Sequence, residues 1–260
     1  MIEVKDLSCL IDDREIISGV SFEVKAGEVI GVLGSNGAGK TTLLRCLLGL
    51  EKYQGSVSFE LKSGEKLSPI ASGKKKLAQH IAWVPQNFNL DSRITVEDYL
   101  KRARYAYHGK SQSDAESSQK AIARAVETTG IGSLRTRLLP AMSGGEKRLV
   151  LLAAALVQEP EILLVDEPGS SLDVVNQTAL FNLIDAYSEE WGLTVIVVGH
   201  EVNLTSKISD RILGLEEGKL VCFKEPTQAI SKDNLRRIFN ADFELIDTKG
   251  QDFPLAICNG

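Results

Sequence analysis

The sequence predicts an α/β fold with a mostly parallel sheet core, antiparallel strands near the N-terminus and an inserted helical subdomain. Three observations lead there. Apolar runs at 28–33, 162–165 and 194–198 alternate with segments of helical length, the pattern of parallel strands covered on both faces. A glycine-rich loop joins the first run directly to a helical pattern. From Thr95 to Val157 the period is helical, broken only by the polar stretch 110–119 and by Gly130-Ile131-Gly132.

Taken in order, Ile2–Val4 and the alternating Val20-Ser21-Phe22-Glu23-Val24 read as strands joined by turns. Beyond Lys40, Leu43, Leu44, Leu47, Leu48 and Leu50 recur at helical spacing and stop near 49–53. Residues 63–76 are polar and rich in Gly, Ser and Lys, a loop signature that leaves Lys74, Lys75 and Lys76 on the solvated surface. A helix-length segment spans 174–191, and Ile212–Leu215 and Leu220–Phe223 flank Glu216-Glu217-Gly218 as a closing hairpin. The tail 241–260 has polar ends and Gly250 and reads as a loosely held extension, with the apolar run 253–257 able to dock on the core.

Composition excludes several classes. The chain has 260 residues, 43% hydrophobic and 25% charged, with net charge −5, which rules out intrinsic disorder and fits one large domain or two joined subdomains. An acidic chain lacks the clustered positive field that coats a nucleic-acid backbone, so no nucleic-acid partner is expected. Lys101, Arg102 and Arg104 beside Tyr105 and Tyr107 read as a solvated helix face rather than an RNA-facing patch. The longest apolar run, Leu149–Val157, is far short of the roughly 20 residues that cross a bilayer as a helix. Acids in the first six residues replace the basic end of a signal peptide, so a cytosolic location is expected. Cys9, Cys46, Cys222 and Cys258 are scattered without zinc spacing and are expected to be reduced and mostly buried.

Three motifs carry chemistry. Gly34-Ser35-Asn36-Gly37-Ala38-Gly39-Lys40-Thr41 satisfies G-x-x-x-x-G-K-[ST] between a buried strand and a helix, where backbone N–H groups and the helix N-terminus can cradle phosphates. Lys40 should reach the β- and γ-phosphates, and the Thr41 hydroxyl should ligate Mg²⁺, with Thr42 adjoining. The strand 162–165 runs into Asp166-Glu167. Successive strand residues face opposite ways, so Asp166 is assigned to the Mg²⁺ shell and Glu167 to the attacking water as general base. Ser143-Gly144-Gly145-Glu146 precedes a helical stretch at 147–158. It reads either as a plain N-cap or as a second anion cradle, and a chain with one phosphate loop and a spare cradle invites sharing of a nucleotide between two copies.

These motifs, with Gln86 after Trp83-Val84-Pro85, Ser171-Leu172-Asp173, and His200 after an apolar strand, occur in the order seen in ABC-transporter ATPase subunits. The resemblance covers about Ile2 to Phe239 and is nearest to importer ATPases for ferric siderophores, haem and cobalamin. It implies an ABC ATPase domain over 1–240, with a P-loop NTPase core at 1–86 and 159–225, a helical subdomain at 87–158 and a C-terminal extension at 241–260. It further implies that Gln86 joins the Mg²⁺ site to the helical subdomain, that His200 contacts the γ-phosphate beside Glu167, and that Asp173 faces the opposite subunit's phosphate loop. Ser143, Gly144, Gly145 and Glu146 would clamp ATP held by that opposite loop in a head-to-tail dimer. Membrane permease subunits and, indirectly, a substrate-binding protein are the implied partners, at the cytoplasmic face of the membrane.

The sequence departs from the family pattern at identifiable places. Leu10-Ile11-Asp12-Asp13 has no adenine-stacking aromatic, leaving Ile11 or Leu10 as an apolar contact; Met142 and Glu146 replace Leu and Gln of the signature; Gly169 stands where Thr is usual; and His200-Glu201-Val202-Asn203 replaces His-Asp-Leu-Asn. The expected function is ATP-driven import through a separate permease. The alternative is a soluble ATPase of the same fold acting in iron–sulfur assembly or on ribosomes; an exporter is disfavoured because no membrane segment is fused.

Overall fold

Alternation along the strands divides the hydrophobic core into layers. The computed structural model describes residues 1–86, 93–107, 112–170, 172–248, 250 and 252–259. Strands β1 (Ile2–Ile11) and β2 (Arg14–Val24) form a hairpin, longer than the two runs read from sequence. Its loop is Asp12-Asp13 with φ of 49° and 60°, the left-handed pair that a two-residue hairpin turn requires. Then follow β3 (Val29–Gly34), α1 (Lys40–Leu47), β4 (Gln54–Glu60), β5 (Lys66–Leu67), α2 (Lys74–Leu77) and β6 (Ile81–Val84). Helices α3 (Val96–Ala103), α4 (Gln112–Thr129) and α5 (Gly144–Leu156) precede β7 (Ile162–Asp166), α6 (Val174–Trp191), β8 (Thr194–Gly199) and α7 (Val202–Lys207). The chain closes with β9 (Arg211–Glu216), β10 (Lys219–Lys224), α8 (Pro226–Ala229), α9 (Lys232–Phe239), β11 (Phe243–Ile246) and β12 (Leu255–Cys258).

The central sheet has the order β10-β9-β3-β8-β7-β6, parallel except for the β10 edge. Strands β3, β7 and β8 are buried along their whole length. On β7, Leu163 and Val165 enter one core with Val195, Val197 and the helices α3 to α6, while Ile162 and Leu164 enter another with Ile196, Val198 and α1. That second core is closed by the antiparallel sheet β2-β1-β4-β5. Strands β4 and β5 were not legible as strands: Val57 and Phe59 point inward between polar neighbours, and β5 lies in the polar stretch read as loop. Lys74, Lys75 and Lys76 are exposed as expected.

Two expectations change. Arg104 is not on a solvated face: it is 2% exposed, donates to the Val157 carbonyl at 2.9 Å and Glu159 at 2.7 Å, and lies over the Tyr107 ring. The tail is docked rather than loose, through the apolar run that could reach the core. β11 and β12 pair, and Ala256 is buried in a third core with Leu33, Val202, Ile212 and Ile238. Asn203 Nδ2 donates to the Ala256 carbonyl at 3.0 Å and its Oδ1 accepts the Ala256 amide at 2.9 Å. Cys9, Cys46 and Cys222 are buried free thiols and Cys258 is exposed; burial pushes the Cys46 thiol well above its usual range. Among the described residues no helix is long and apolar enough to cross a membrane.

Asn203→Ala removes both bonds and leaves a backbone donor and acceptor unpaired, a cost of about 1–3 kcal/mol. Amide exchange at Ala256 should accelerate roughly tenfold or more, and unchanged exchange would show that apolar packing alone holds the hairpin.

Candidate active site

The loop after β3 folds because its neighbours hold it from below. Ser35 N donates to the Ile238 carbonyl at 3.1 Å, Gly218 N donates to the Ala38 carbonyl at 3.1 Å, and Ala38 N donates to Ser35 O at 3.1 Å. Gly39, with φ 96°, begins α1 in a left-handed conformation that suits glycine. Above the loop lies a cleft of about 770 Å³. Of the residues assigned to phosphate, Gly34, Ser35, Asn36, Gly37, Gly39, Lys40, Thr41 and Thr42 line it, as do Gln86, Glu167 and His200. Ala38 is the exception, because its methyl packs into the core and its amide is already bonded within the loop.

Lys40 is 5% exposed and folds back on its own loop, donating to Gly34 O at 2.7 Å and Ser35 O at 3.0 Å. Burial lowers its pKa, while Glu167, Asp166 and Glu201 act to raise it. Asp166 lies beneath the cleft, 1% exposed, where its Oδ1 accepts from Thr41 Oγ1 at 3.2 Å. Burial raises its pKa, the Thr41 bond lowers it and the Glu167 charge raises it again.

Asp166 and Glu167 meet different partners, and strand alternation alone does not account for it. Glu167 has left the strand with φ 43°, a costly conformation for a residue with a side chain, while its amide still donates to Val198 O at 2.8 Å. The twist brings its carboxylate to 3.9 Å from Lys40 Nζ and 3.9 Å from His200 Nδ1. Gln86 donates from Nε2 to that carboxylate rather than meeting the Thr41–Asp166 pair, so it stands with Glu167 and its amide oxygen takes no part in that bond.

Ser143, Gly144, Gly145, Glu146 and Asp173 sit elsewhere, in a second cleft of about 500 Å³. Helix α5 starts at Gly144, three residues before the expected 147, because Ser143 and Glu146 form a complete capping box. Glu146 N donates to Ser143 Oγ at 3.3 Å, Ser143 N donates to Glu146 Oε2 at 2.8 Å, and Arg137 Nη1 donates to Glu146 Oε1 at 2.5 Å. A hydroxyl accepting one bond retains its proton to donate, so cap and cradle are compatible. Asp173 caps α6, accepting from the Asn176 amide at 2.9 Å, which lowers its pKa. Ser171 lies outside the described residues.

Other residues emerge only in three dimensions. Ile11 does not line the phosphate cleft; it packs against the second core, and Ile16 of β2 and Phe239 at the end of α9 line the cleft instead. Ile16 sits past the hairpin turn, and Phe239 closes a helix distant in sequence, so no motif spacing pointed to either. Glu201, visible in the sequence only as a departure from the family pattern, gains a role from its surroundings. Its Oε1 is buried without a hydrogen-bond partner, 3.5 Å from His200 Nε2. A Cβ at Gly169 would stand 2.5 Å from that oxygen: the missing side chain at 169 makes room for the longer carboxylate at 201, and the two departures are one packing solution.

A buried strand, a phosphate loop opening a helix, and a carboxylate beside the loop lysine define a P-loop nucleoside triphosphatase. Residues 17–170 match the ABC transporter family model, and the chain belongs to that family as an ATP-binding ATPase unit. It is 32% identical over 93% of its length to the zinc import ATP-binding protein ZnuC of Halorhodospira halophila, covering 84% of that protein. It is 33% identical over 92% of its length to the hemin import ATP-binding protein HmuV of Mesorhizobium japonicum, covering 91% of it. An ABC transporter solved in an inward-facing conformation contains a chain of the same fold, with TM-score 0.81 and 24% identity over 99% of this chain and 96% of that one.

Because burial raises the Asp166 pKa, its carboxylate disfavours the ligand-free fold at pH above that raised value, and protonation relieves this as pH falls. Asp166→Asn should raise the ligand-free melting midpoint by about 2–4 °C at neutral pH and flatten its acid dependence. A lowered midpoint would mean that Asp166 is held in a net favourable ion pair.

Proposed function

We propose that this chain is the ATP-hydrolysing subunit of an ABC importer, energising uptake of an iron complex, haem, cobalamin or a related metal chelate through a separate membrane permease. The observation that carries the hydrolytic part is the cluster in which Glu167 stands 3.9 Å from both Lys40 and His200 and accepts from Gln86. ATP binds with its phosphates against the loop amides. Lys40 exchanges its two loop carbonyls for phosphate oxygens and stabilises the charge that develops during transfer. Glu167 accepts the proton of the attacking water, and His200 orients the γ-phosphate beside it. The Thr41 hydroxyl and the Asp166 carboxylate are hard oxygen donors facing each other and fit Mg²⁺. Bound there, the ion would offset phosphate charge, with Gln86 near it through its amide oxygen.

The base would rest between Ile16 and Phe239. Ser143, Gly144, Gly145 and Glu146, with Asp173, face a cleft separate from this one, which supports a head-to-tail homodimer in which each signature closes on the other subunit's ATP. The metal-bearing cargo named for the zinc and hemin import relatives supports the same for this chain, working on the cytoplasmic face of the membrane with permease subunits and, indirectly, a substrate-binding protein. The boundaries at 1–240, with the core at 1–86 and 159–225, the helical subdomain at 87–158 and the extension at 241–260, belong to this reading.

Glu167→Gln should bind ATP yet hydrolyse it at least about 100-fold more slowly, accumulate as an ATP-bound dimer, and co-purify from its own cells with a many-span membrane protein. Near-normal turnover would remove Glu167 from the mechanism, and a ribosome or soluble scaffold in place of the permease would overturn the importer. Phe239→Ala should weaken ATP binding roughly tenfold, as loss of one base–aromatic stack does, and leave tripolyphosphate binding unchanged. Equal weakening for both ligands would assign Phe239 to the support of the loop.

A further inference from the structure

A buried cation that lines the signature cleft is bonded to segments flanking the phosphate site. Arg148, on the first turns of α5, lines the signature cleft with Gly145 and Leu172 and is 9% exposed. Its guanidinium bonds to groups next to Gln86 and Glu167. Nη1 donates to the Pro85 carbonyl at 3.0 Å, the residue before Gln86, and Nη2 donates to Ser170 Oγ at 2.7 Å. Ser170 Oγ in turn donates to the Glu167 carbonyl at 3.0 Å, and the Ser170 amide donates to the same oxygen at 3.2 Å. One planar fork therefore ties the signature helix to the backbone flanking Gln86 and to the turn that holds Glu167 in its left-handed conformation. Burial lowers the pKa of Arg148, and Asp166 and Glu167 raise it; a guanidinium stays charged throughout. A lysine could not replace it, since an ammonium lacks the fixed two-pronged geometry.

We propose that Arg148 is a positioning residue that transmits engagement of this subunit's signature helix to its own Gln86 and Glu167. Seating α5 on the partner's nucleotide moves or stiffens the helix start, and the fork carries that change to the Pro85 carbonyl and to Ser170. The signature half-site of one composite site is thereby linked to the catalytic carboxylate of the other. This rests on the two-cleft ATPase reading above.

The test compares Arg148→Lys, Ser170→Ala and the double variant in the full chain. It measures kcat and KM for ATP, and ATP-driven dimerisation in the Glu167→Gln background. Arg148→Lys should lower kcat about tenfold or more, the scale of a small misplacement of catalytic groups, with KM changed by less than about twofold. ATP-driven dimers should still form. Ser170→Ala, which leaves the Pro85 contact in place, should act in the same direction but less, and the double variant should be no slower than Arg148→Lys alone. Unchanged kcat in both single variants overturns the proposal. So does a joint loss of kcat, ATP affinity and dimerisation with a lower melting midpoint, which would make Arg148 a support of the fold only. A wild-type chain with neither ATP turnover nor ATP-driven dimers would instead bring down the ATPase reading itself.

Discussion

Three distant segments converge beneath the phosphate loop, and their convergence leaves no space for side chains at two points. A Cβ on Gly39 would lie 2.7 Å from Ile17 Cδ1 and 2.8 Å from the Ile16 carbonyl, and one on Gly218 would collide with that same carbonyl. The turn between β9 and β10 is thus pressed between β2 and the loop: Gly218 N donates to Ala38 O, and Gly218 O accepts from Ser18 N at 3.0 Å. From the other side Ile238 O receives the Ser35 amide. The loop owes its shape to the antiparallel sheet, the closing hairpin and α9 together as much as to its own glycines. Both sheets and the C-terminal core are held in one relation by this junction.

Charge arrangement in the cleft follows from the same geometry. Lys40 is drawn down onto its loop carbonyls, Asp166 is sealed beneath Thr41, and Glu167 is swung upward by a backbone conformation that costs of order 1–3 kcal/mol. That strain is offset by the bonds around it: its amide remains in the sheet ladder and its carbonyl is held twice by Ser170. With Glu201 also near, carboxylates outnumber the lysine. An anionic ligand meets that excess as repulsion, so such a balance suits one that arrives with its own cation.

Much of this was legible in the sequence where a local rule applies. Strongly apolar runs gave β3, β7 and β8, and an eight-residue motif in strand-to-helix context located the loop with Lys40 and Thr41. The place of Asp166 and Glu167 at the end of a buried strand was readable, although the left-handed conformation of Glu167 was not, because it leaves no mark in periodicity. Strands β4 and β5 escaped because their inward residues are few and their neighbours polar. Ile16 and Phe239 were missed, and Ile11 put in their place, because that wall of the cleft is assembled from β2 and α9, segments that meet only when the sheets pack. The exchange between Gly169 and Glu201 was visible as two separate oddities and becomes one fact only when their distance is known. Arg104 looked solvated among neighbouring charges, yet α4 and the chain after α5 close over it.

The capping box at Ser143 has a further consequence. A loop that had to organise itself around an arriving phosphate would lose conformational freedom at that moment, at the expense of affinity. Here the freedom is given up during folding: Glu146 and Arg137 fix the first turn of α5 before any second chain approaches. Two rigid faces can meet and separate without an ordering step in either direction. In the head-to-tail dimer proposed above, a clamp finished in advance would favour quick release as much as firm closure.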